Sequence, residues 1–337
     1  MRLLAYVLRR LLFVVPQALG ISVITFVIVR VLPGNPALVL AGSTATKESI
    51  AAIEHRLGLD QPIWVQYGRY LKDLVAGDLG KSIVTSQPVV DDLVQRLPAT
   101  LELIFFGLLV SLIVGIPLGI SAAVGRGRGP AHRVAAPYSL LAGSIPDFWV
   151  GLIVILVFYA YLGWAPAPLG QLPTGADPPA RITGMYVVDA LATGNWGVLR
   201  LAAAHLLLPL LTLVFVYMAP IVKMTRSSMD DVLESAFVDH LESLGLRRRT
   251  ILWRALRNAL PPVVTIVGVL VGYLLGGAVL IEIVFSWGGA GQYAVLAIVN
   301  SDFAAIQGFV LAAAGFSLVV YLAVDLLYFA LDPRIRP

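Results

Sequence analysis

Residues 225–262 read TRSSMDDVLESAFVDHLESLGLRRRTILWRALRNALPP and form the longest charged segment between two strongly apolar ones. In its first half, apolar residues recur at the spacing of 3, 4, 7 and 8 that places side chains on one face of an α-helix. These residues are Met229, Val232, Leu233, Ala236, Phe237, Leu241 and Leu244. The pattern predicts an amphipathic helix.

A glycine and three arginines separate this helix from a second one. Gly245 stands where a left-handed C-terminal cap is expected, because glycine adopts a positive φ without steric cost. The arginines at 247–249 then open the second helix. Its apolar positions are Ile251, Leu252, Ala255, Leu256 and Ala259. Pro261 and Pro262 predict the end of that helix or a sharp bend in it.

The helix pair has two possible roles at a membrane face. A helix, a glycine and a helix inserted between two membrane spans would offer one surface to a partner protein. The alternative is an interfacial helix whose apolar side lies on lipid. The pattern alone leaves both open.

The composition of the chain places it among membrane proteins. Of its 337 residues, 58% are hydrophobic and only 13% are charged, whereas a soluble domain carries about 25% charged residues. The absence of cysteine excludes disulfides and cysteine-based metal or thiol chemistry. The net charge of +4 is modest and does not indicate nucleic acid as a partner.

Six stretches are long and apolar enough to cross a bilayer, for which about 20 residues are needed. They are residues 11–29, 103–125, 134–161, 201–222, 262–281 and 303–331. The sequence therefore predicts an all-α polytopic membrane protein, divided into the N-terminus and first span (1–31), an extramembrane subdomain (32–98) and a core (99–337). The core contains the loop 226–260 and a second extramembrane loop at 163–200.

The basic residues indicate which side of the membrane each loop occupies. The N-terminus, 125–133, 223–260 and 332–337 together hold 15 of the 24 lysines and arginines, against 9 on the other side. By the positive-inside rule, both termini and the helix pair are cytoplasmic. The subdomain at 32–98 is then extracytoplasmic.

Enzymatic chemistry has no candidate residues in this sequence. It contains no phosphate-binding loop, no metal-ligand constellation and no nucleophile with a base, and its four histidines are widely separated. We therefore expect neither an enzyme nor a site for a cofactor, metal or nucleotide within the chain.

Carboxylates within spans are costly and mark candidate functional sites. Asp147 lies in the third span, Glu282 at the outer end of the fifth and Asp325 in the last turns of the sixth. Substrate contact and an ordinary interfacial position are both open for Glu282, whereas for Asp325 a structural pairing is favoured.

Glycines recur along the fifth span at close to four-residue spacing. They are Gly268, Gly272, Gly276 and Gly277. Tight helix packing is the favoured role. The same stripe could also line a pore beside Tyr273.

Motifs along the whole chain resemble those of the inner-membrane permease subunit of dipeptide/oligopeptide ATP-binding cassette importers. The match runs in order from the first arginines to the last, and only residues 165–200 lack clear counterparts. Its segments are LRRLLFVVPQALGISVITFVIVRVLPGNP, RLGLDQPIWVQYGRYL, GDLGKSI, LPATLEL, SIPDFWVGL with GWAP, HLLLPLLTL, LRNALPPVVT, VFSWGGAGQYAVLAIVNSDFAAIQG and DLLYFALDPRIR.

This resemblance implies a type I importer permease with six membrane helices in the cytoplasmic membrane of a bacterium or archaeon. A second homologous permease would complete the pore, two ATP-binding subunits would dock below and an extracytoplasmic solute-binding protein above. ATP and magnesium would be bound by the partner subunits.

The helix pair resembles the coupling helix of this superfamily, which carries a Glu-Ala-Ala, three-residue, Gly pattern. Counting back from Gly245, Asp239 takes the Glu position, and His240 and Leu241 take the two small positions, so the surface offered to an ATPase differs in shape. Gly245 and Leu246 are retained. Docking would bury Phe237 and Leu241 and leave Arg247, Arg248 and Arg249 for acidic groups or lipid phosphates.

The cargo implied by the resemblance is a short peptide. Similar permeases carry nickel chelates, haem, glutathione or oligosaccharides, and no feature of the sequence excludes these. A secondary transporter driven by an ion gradient is a more distant alternative. It predicts paired carboxylates in midmembrane and inverted repeats, whereas only Asp147 lies near that depth.

Overall fold

The computed structural model of this chain describes residues 2–31, 37, 41, 45–125 and 129–331. Most of these residues are helical and none lies in a β-strand, although an isolated bridge joins Lys81 and Pro88. The helices are α1 (Arg2–Val31), α2 (Lys47–Leu57), α3 (Ile63–Val75), α4 (Val89–Val124), α5 (Pro130–Ser144), α6 (Asp147–Val154), α7 (Tyr186–Ala192), α8 (Trp196–Leu233), α9 (Ala236–Ser243), α10 (Arg248–Val284), α11 (Ala290–Val299) and α12 (Phe303–Leu331). A π-helical segment, Ile155–Tyr161, continues α6.

Four of the predicted spans correspond to single long apolar helices, α4, α8, α10 and α12. α8 and α10 contain 38 and 37 residues. At 1.5 Å per residue they are about 55 Å long, well beyond the roughly 30 Å of a bilayer's hydrocarbon core. Both helices therefore extend out of the membrane.

The third predicted span, 134–161, is not one straight helix. It is broken between Ser144 and Asp147, and its two parts are bent by 106°. Ile145 has extended dihedrals, φ −106° and ψ 129°, because the ring of Pro146 disfavours the helical conformation in the preceding residue. Asp147 consequently begins a helix instead of lying within one.

The first predicted span lies within α1, whose described apolar part is Leu12–Val27. Counting the bent pair as one span, up to five helices of the described chain are long and apolar enough to cross a membrane. The total of six spans stays a prediction.

The chain forms two compact units, Met1–Pro98 with Gly288–Val319, and Ala99–Trp287 with Val320–Pro337. In the first unit, the Oγ of Ser22 on α1 and the hydroxyl of Tyr67 on α3 are hydrogen-bonded at 2.9 Å. The ring of Phe26 packs edge-on against the ring of Tyr67, with 5.3 Å between centroids. A buried apolar cluster, which includes Val89, Leu93, Tyr293, Phe303 and Ile306, holds the starts of α4 and α12 to α11.

In the second unit, α8 packs against α5, α6, α7 and α10. Glycines of α4 allow a close approach to α8. A Cβ at Gly115 would lie 2.9 Å from Cγ of Met218, and one at Gly119 would lie 2.7 Å from Cβ of Thr225. Small residues at such positions are how membrane helices pack tightly.

Candidate coupling hairpin and translocation site

The predicted amphipathic helix 229–244 is interrupted in the structure. Its first turn is the end of α8, which runs to Leu233, and its remainder is the short helix α9. Ser235 stands between them in an extended conformation, with φ −84° and ψ 151°. The prediction of one continuous helix was therefore wrong, because the membrane helix continues beyond the bilayer and the chain turns at Ser235.

Gly245 adopts the left-handed conformation predicted for it, with φ +67°. Its N–H donates to the carbonyl of Glu242 at 2.9 Å, and the N–H of Leu246 donates to the carbonyl of Leu241 at 3.4 Å. These bonds satisfy carbonyls at the end of α9. The turn delivers the chain to Arg247, the extended residue from which α10 begins.

α10 then continues to Val284 with Pro261 and Pro262 inside it. Of the two alternatives predicted for these prolines, the end of the helix is therefore excluded, whereas a bend in it stays a prediction. Proline is tolerated in long membrane helices when neighbouring groups satisfy the backbone atoms that it frees. We call the segment from Ser235 to Arg247 the coupling hairpin.

A buried cluster fixes the coupling hairpin to the long helices. Its members are Ala123, Met229, Val238, Leu241, Ile251, Ala255 and Ala259. Leu241 is only 3% exposed within its own chain. Its expected place on the docking face is therefore corrected, because Leu241 supplies the packing that attaches α9 to α10.

The outer surface of the coupling hairpin is formed by other residues. Phe237 is 39% exposed and Leu244 is 60% exposed. Asp239, His240 and Arg247 are exposed as well. An apolar and charged surface of this kind is suited to a protein partner.

A cleft of about 950 Å³ opens beside the hairpin, between the ends of α4 and α8 and the start of α10. Its charged lining residues are Arg226, Asp230, Glu234, Glu242 and Arg248. Nε of Arg226 lies 3.5 Å from Oδ2 of Asp230, one turn further along α8. The hairpin is therefore surrounded by charges of both signs.

Asp147 lies at the break between α5 and α6, where its Oδ1 accepts a 2.8 Å hydrogen bond from the N–H of Phe148. Asp147 is thus the first residue of a helix and lies at the break of the predicted third span. A Cβ at Gly277 would lie 3.0 Å from Oδ2 of Asp147 and would collide with the hydroxyl of Tyr217. Gly277 therefore allows side chains from α6 and α8 to meet at the surface of α10.

Glu282 is fully buried. Its Oε1 accepts a 2.5 Å hydrogen bond from Oγ1 of Thr100 on α4. Its backbone carbonyl accepts from the N–H of Trp287 at 2.8 Å. The position expected for Glu282, exposed at an outer mouth, is therefore corrected to an interior contact between α4 and α10.

The glycines of α10 separate into two groups. A Cβ at Gly268 would lie 3.1 Å from Val324, and one at Gly272 would lie 2.8 Å from the hydroxyl of Tyr321, both on α12. These two glycines, like Gly277, permit close packing. Gly276 has open space around it, and Tyr273 is 68% exposed.

Gly276 and Tyr273 belong to one uncovered face of α10, which we call the α10 face. Its residues are Pro262, Thr265, Val269, Tyr273, Gly276, Leu280 and Ile283, all exposed. Their spacing of three and four residues places them on one side of the helix. Asp325 lies in the part of α12 where side chains are outside the described residues.

Sequence reasoning missed several buried polar contacts. Tyr217 is a single polar residue among apolar ones and Thr100 stands two residues before Glu102, and neither local pattern predicts a partner far along the chain. Asp189 accepts hydrogen bonds from the N–H groups of Ile182, Thr183 and Gly184 and from the Thr183 hydroxyl, at 2.7 to 3.1 Å. Burial raises the pKa of Asp189, but these four donors outweigh it and hold the pKa below its usual range.

The described residues contain no group of three or more histidines and carboxylates placed to hold a metal ion. The second unit is instead a packed helical bundle with a broken span and three buried carboxylates, those of Glu102, Asp189 and Glu282. Its distinctive features are the coupling hairpin and the α10 face.

Comparison with protein families agrees with this architecture. Residues 115–337 match the family described as binding-protein-dependent transport system inner membrane component. Residues 3–104 match the N-terminal family of the same membrane components. This chain belongs to that family. It is accordingly a multi-pass membrane component of a transport system.

Relatives within the family match over nearly the whole chain. A dipeptide transport system permease protein of Alkalihalophilus pseudofirmus is 40% identical over 335 residues, covering 99% of this chain and 100% of the relative. A probable D,D-dipeptide transport system permease protein of Escherichia coli is 44% identical over 317 residues, 94% of this chain and 93% of the relative. A glutathione transport system permease protein of Salmonella paratyphi A is 35% identical over 335 residues, 99% of each chain.

Proposed function

We propose that this chain is the permease subunit of an ATP-driven importer of short peptides. The observation that carries the proposal is its 40% identity, over essentially complete chains, to a dipeptide permease. The proposed assembly contains a second homologous permease, two ATP-binding subunits and an extracytoplasmic peptide-binding protein. ATP and magnesium are bound and used by the ATP-binding subunits, and this chain takes no cofactor of its own.

The coupling hairpin is the proposed docking element for one ATP-binding subunit. Phe237 and Leu244 supply its apolar contacts, and Asp239, His240 and Arg247 supply polar ones. Leu241 and Gly245 act indirectly, since the first fixes α9 to the buried cluster and the second sets the turn into Leu246. Because the hairpin is packed onto α8 and α10, a movement of the ATPase is transmitted to both membrane helices.

The α10 face is the proposed boundary of the substrate path, shared with the second permease. It is mostly apolar, is left uncovered by the described residues and is interrupted by Gly276, which leaves room beside Tyr273. Asp147 and Gly272 lie beside the proposed path, Asp147 where α6 meets α10 and Gly272 where α10 meets α12. Glu282 contributes by fixing α4 to α10, because its carboxylate is buried and cannot touch a passing solute in this conformation.

The proposed topology places the N-terminus, the coupling hairpin and the C-terminus in the cytoplasm. The distribution of lysine and arginine supports it, and the length of α8 and α10 beyond a bilayer gives the hairpin room below the membrane. Residues 32–98 and 163–200 are then extracytoplasmic. The domain division at 31 and 98 is part of the same proposal.

Glutathione is the second candidate cargo. It is favoured by the 35% identity of this chain to a glutathione transport system permease protein. Both candidates are peptides with free charged ends. A competition assay separates them, because the preferred cargo blocks uptake of the other at lower concentration.

Affinity purification from the native cell in mild detergent tests the assembly. We expect the tagged chain to bring a homologous permease and two ATPase chains, whose ATP hydrolysis rises when a peptide-loaded binding protein is added. Recovery of the chain without any ATPase, together with transport that follows an ion gradient, would refute the proposal in favour of a secondary transporter.

A further inference from the structure

The first unit contains a cavity of about 780 Å³ that the proposed function does not use. One wall is a single face of α3, from Gln66 through Arg69 and Tyr70 to Asp73, and another is the start of α12 around Gln307. The loop 78–86 closes a third side. Small-molecule sites in proteins have volumes of about 300 to 1,000 Å³, so the cavity has the size of a ligand site.

The loop wall of this cavity is held in place by a buried carboxylate. Oδ2 of Asp302, fully buried, accepts hydrogen bonds from Oγ of Ser82 at 2.6 Å, from the N–H of Ile83 at 2.8 Å and from the N–H of Val84 at 3.2 Å. Three donors on one oxygen fix the loop to the start of α12. The cavity is therefore preformed.

The α3 wall is fixed as well. Nε2 of Gln66 donates to the carbonyls of Leu59 at 3.2 Å and Gln61 at 2.8 Å, which ties the turn after α2 to α3. The guanidinium of Arg69 lies against Gly58, whose φ of +68° and missing Cβ leave space for it. The positions of these side chains are thus set before any ligand arrives.

The charged groups that line the cavity include both signs. Arg56, Arg69 and Lys81 are cationic, and none forms an ion pair with another described residue. The carboxylate of Asp78 accepts a hydrogen bond from the N–H of Gly80 at 2.8 Å. The carboxylate of Asp73 accepts no hydrogen bond from another described residue. The cavity offers uncompensated positive charge and one available negative charge.

Tyr70 adds a neutral polar group to the lining of the cavity. Its hydroxyl is buried and has no hydrogen-bond partner among the described residues. Burial raises its pKa to about 12, so it stays protonated at physiological pH. A buried hydroxyl without a partner is unfavourable, and a small shift of its ring toward an entering polar ligand would remove that cost.

We propose that this cavity is a binding site for a short peptide in its zwitterionic form, separate from the path along α10. The α-carboxylate binds among Arg56, Arg69 and Lys81, and the α-ammonium binds at Asp73. The choice of a peptide over another zwitterion rests on the proposed function. In the proposed topology the site faces the extracytoplasmic side, so it holds peptide outside the membrane.

Titration calorimetry on the full-length chain in lipid nanodiscs, with L-alanyl-L-alanine as the probe, tests this inference. We expect saturable binding that weakens about fivefold or more in Lys81→Gln and in Arg69→Gln, because each loses a charged contact. Lys72→Gln is the matched control, since this exposed lysine lies on α3 outside the lining. The N-acetylated and the C-amidated dipeptides are each expected to bind about fivefold more weakly or worse, because each lacks one terminal charge.

The inference is overturned if the wild-type chain does not bind the dipeptide, or if Lys81→Gln binds it as tightly as Lys72→Gln does. It is also overturned if the blocked dipeptides bind as well as the free one. Should Lys81→Gln weaken only the affinity for the purified binding protein, the cavity is a protein interface instead. Lys81 lies on the loop wall, so its variant tests the site even if Arg69→Gln loosens the turn at Gly58.

Uptake by the assembled importer separates this inference from the proposed function. If the importer accumulates peptide with ATP while the isolated chain binds none, the proposed cavity site is refuted and the proposed importer function is supported. If the chain binds the dipeptide but the importer accumulates none, the proposed function is refuted and the proposed cavity site is supported.

Discussion

Thr100 donates a 2.5 Å hydrogen bond to the buried carboxylate of Glu282, joining two membrane helices across 182 positions of sequence. A buried carboxylate that loses a donor is destabilised by about 1 to 3 kcal/mol. We therefore expect Thr100→Val, which keeps the shape but removes the hydroxyl, to lower the unfolding temperature of the purified permease. Thr100→Ser retains the donor and is expected to remain close to wild type. Equal unfolding temperatures for the valine and serine variants would contradict this role.

The surface of the coupling hairpin predicts a separation between docking and folding. Phe237 is part exposed, so Phe237→Asp should leave expression and the unfolding temperature near wild type while abolishing peptide-stimulated ATP hydrolysis in the complex. Leu241→Asp should instead destabilise the permease itself, by about 3 kcal/mol or more, because it buries a charge in the cluster. Stimulated ATPase activity that survives Phe237→Asp would remove this residue from the interface.

The conformation of Gly245 predicts a graded series of variants. A Cβ here meets no atom within 4 Å, so only the backbone opposes substitution. A left-handed conformation costs a β-branched residue about 1 to 2 kcal/mol, and Asn less. Coupled transport should fall in the order Gly, Asn, Ala, Val, measured as peptide taken up per ATP hydrolysed. A valine variant with wild-type coupling would show that the turn can be rearranged without loss.

The contact at Gly277 can be tested against its neighbour. Gly277→Ala places a methyl group against Tyr217 and Asp147, whereas Gly276→Ala enters open space. We expect the first to lower the unfolding temperature and the second to leave it unchanged. Removing the phenolic oxygen in Gly277→Ala/Tyr217→Phe should restore part of the loss, since that oxygen is the nearest obstacle. Additive effects in this pair would contradict a direct contact.

The hydrogen bonds to Asp189 predict a pH dependence for the segment 182–193. A carboxylate whose pKa is lowered on folding contributes stability above its unfolded pKa of about 3.9, and that stability is lost as the pH falls through the folded pKa. The protection factor of this segment, which compares its exchange rate with that of an unstructured peptide at the same pH, should therefore be high at pH 5 to 7 and fall at pH below about 4. Asp189→Asn should exchange faster throughout and lose most of this dependence. A wild-type segment whose protection is unchanged at pH 3 would contradict the assignment.

The sequence was most informative where local chemistry determines the structure. The positive φ of Gly245, the glycine packing of α4 and α10 and the positions of four long spans follow from residue type and apolar length. The ordered motifs are by themselves sufficient to indicate the family.

The contacts that were missed or misplaced depend on residues far apart in sequence. Leu241 has the spacing of a docking residue, yet packing against Ile251 and Ala255 buries it in its own chain. Glu282 looks interfacial until Thr100 is known to lie beside it. The hydrogen bond from Ser82 to Asp302 joins residues 220 positions apart, and the periodicity of the sequence does not predict such a contact. The helix break before Pro146 could have been predicted from the sequence, since a residue before proline avoids the helical conformation.

The most direct test of the proposed importer is uptake of radiolabelled L-alanyl-L-alanine into proteoliposomes that contain the assembled complex and its binding protein. The account predicts accumulation that requires ATP, is insensitive to dissipation of ion gradients and is lost in Phe237→Asp. Uptake that proceeds without ATP and collapses when an ion gradient is removed would contradict it.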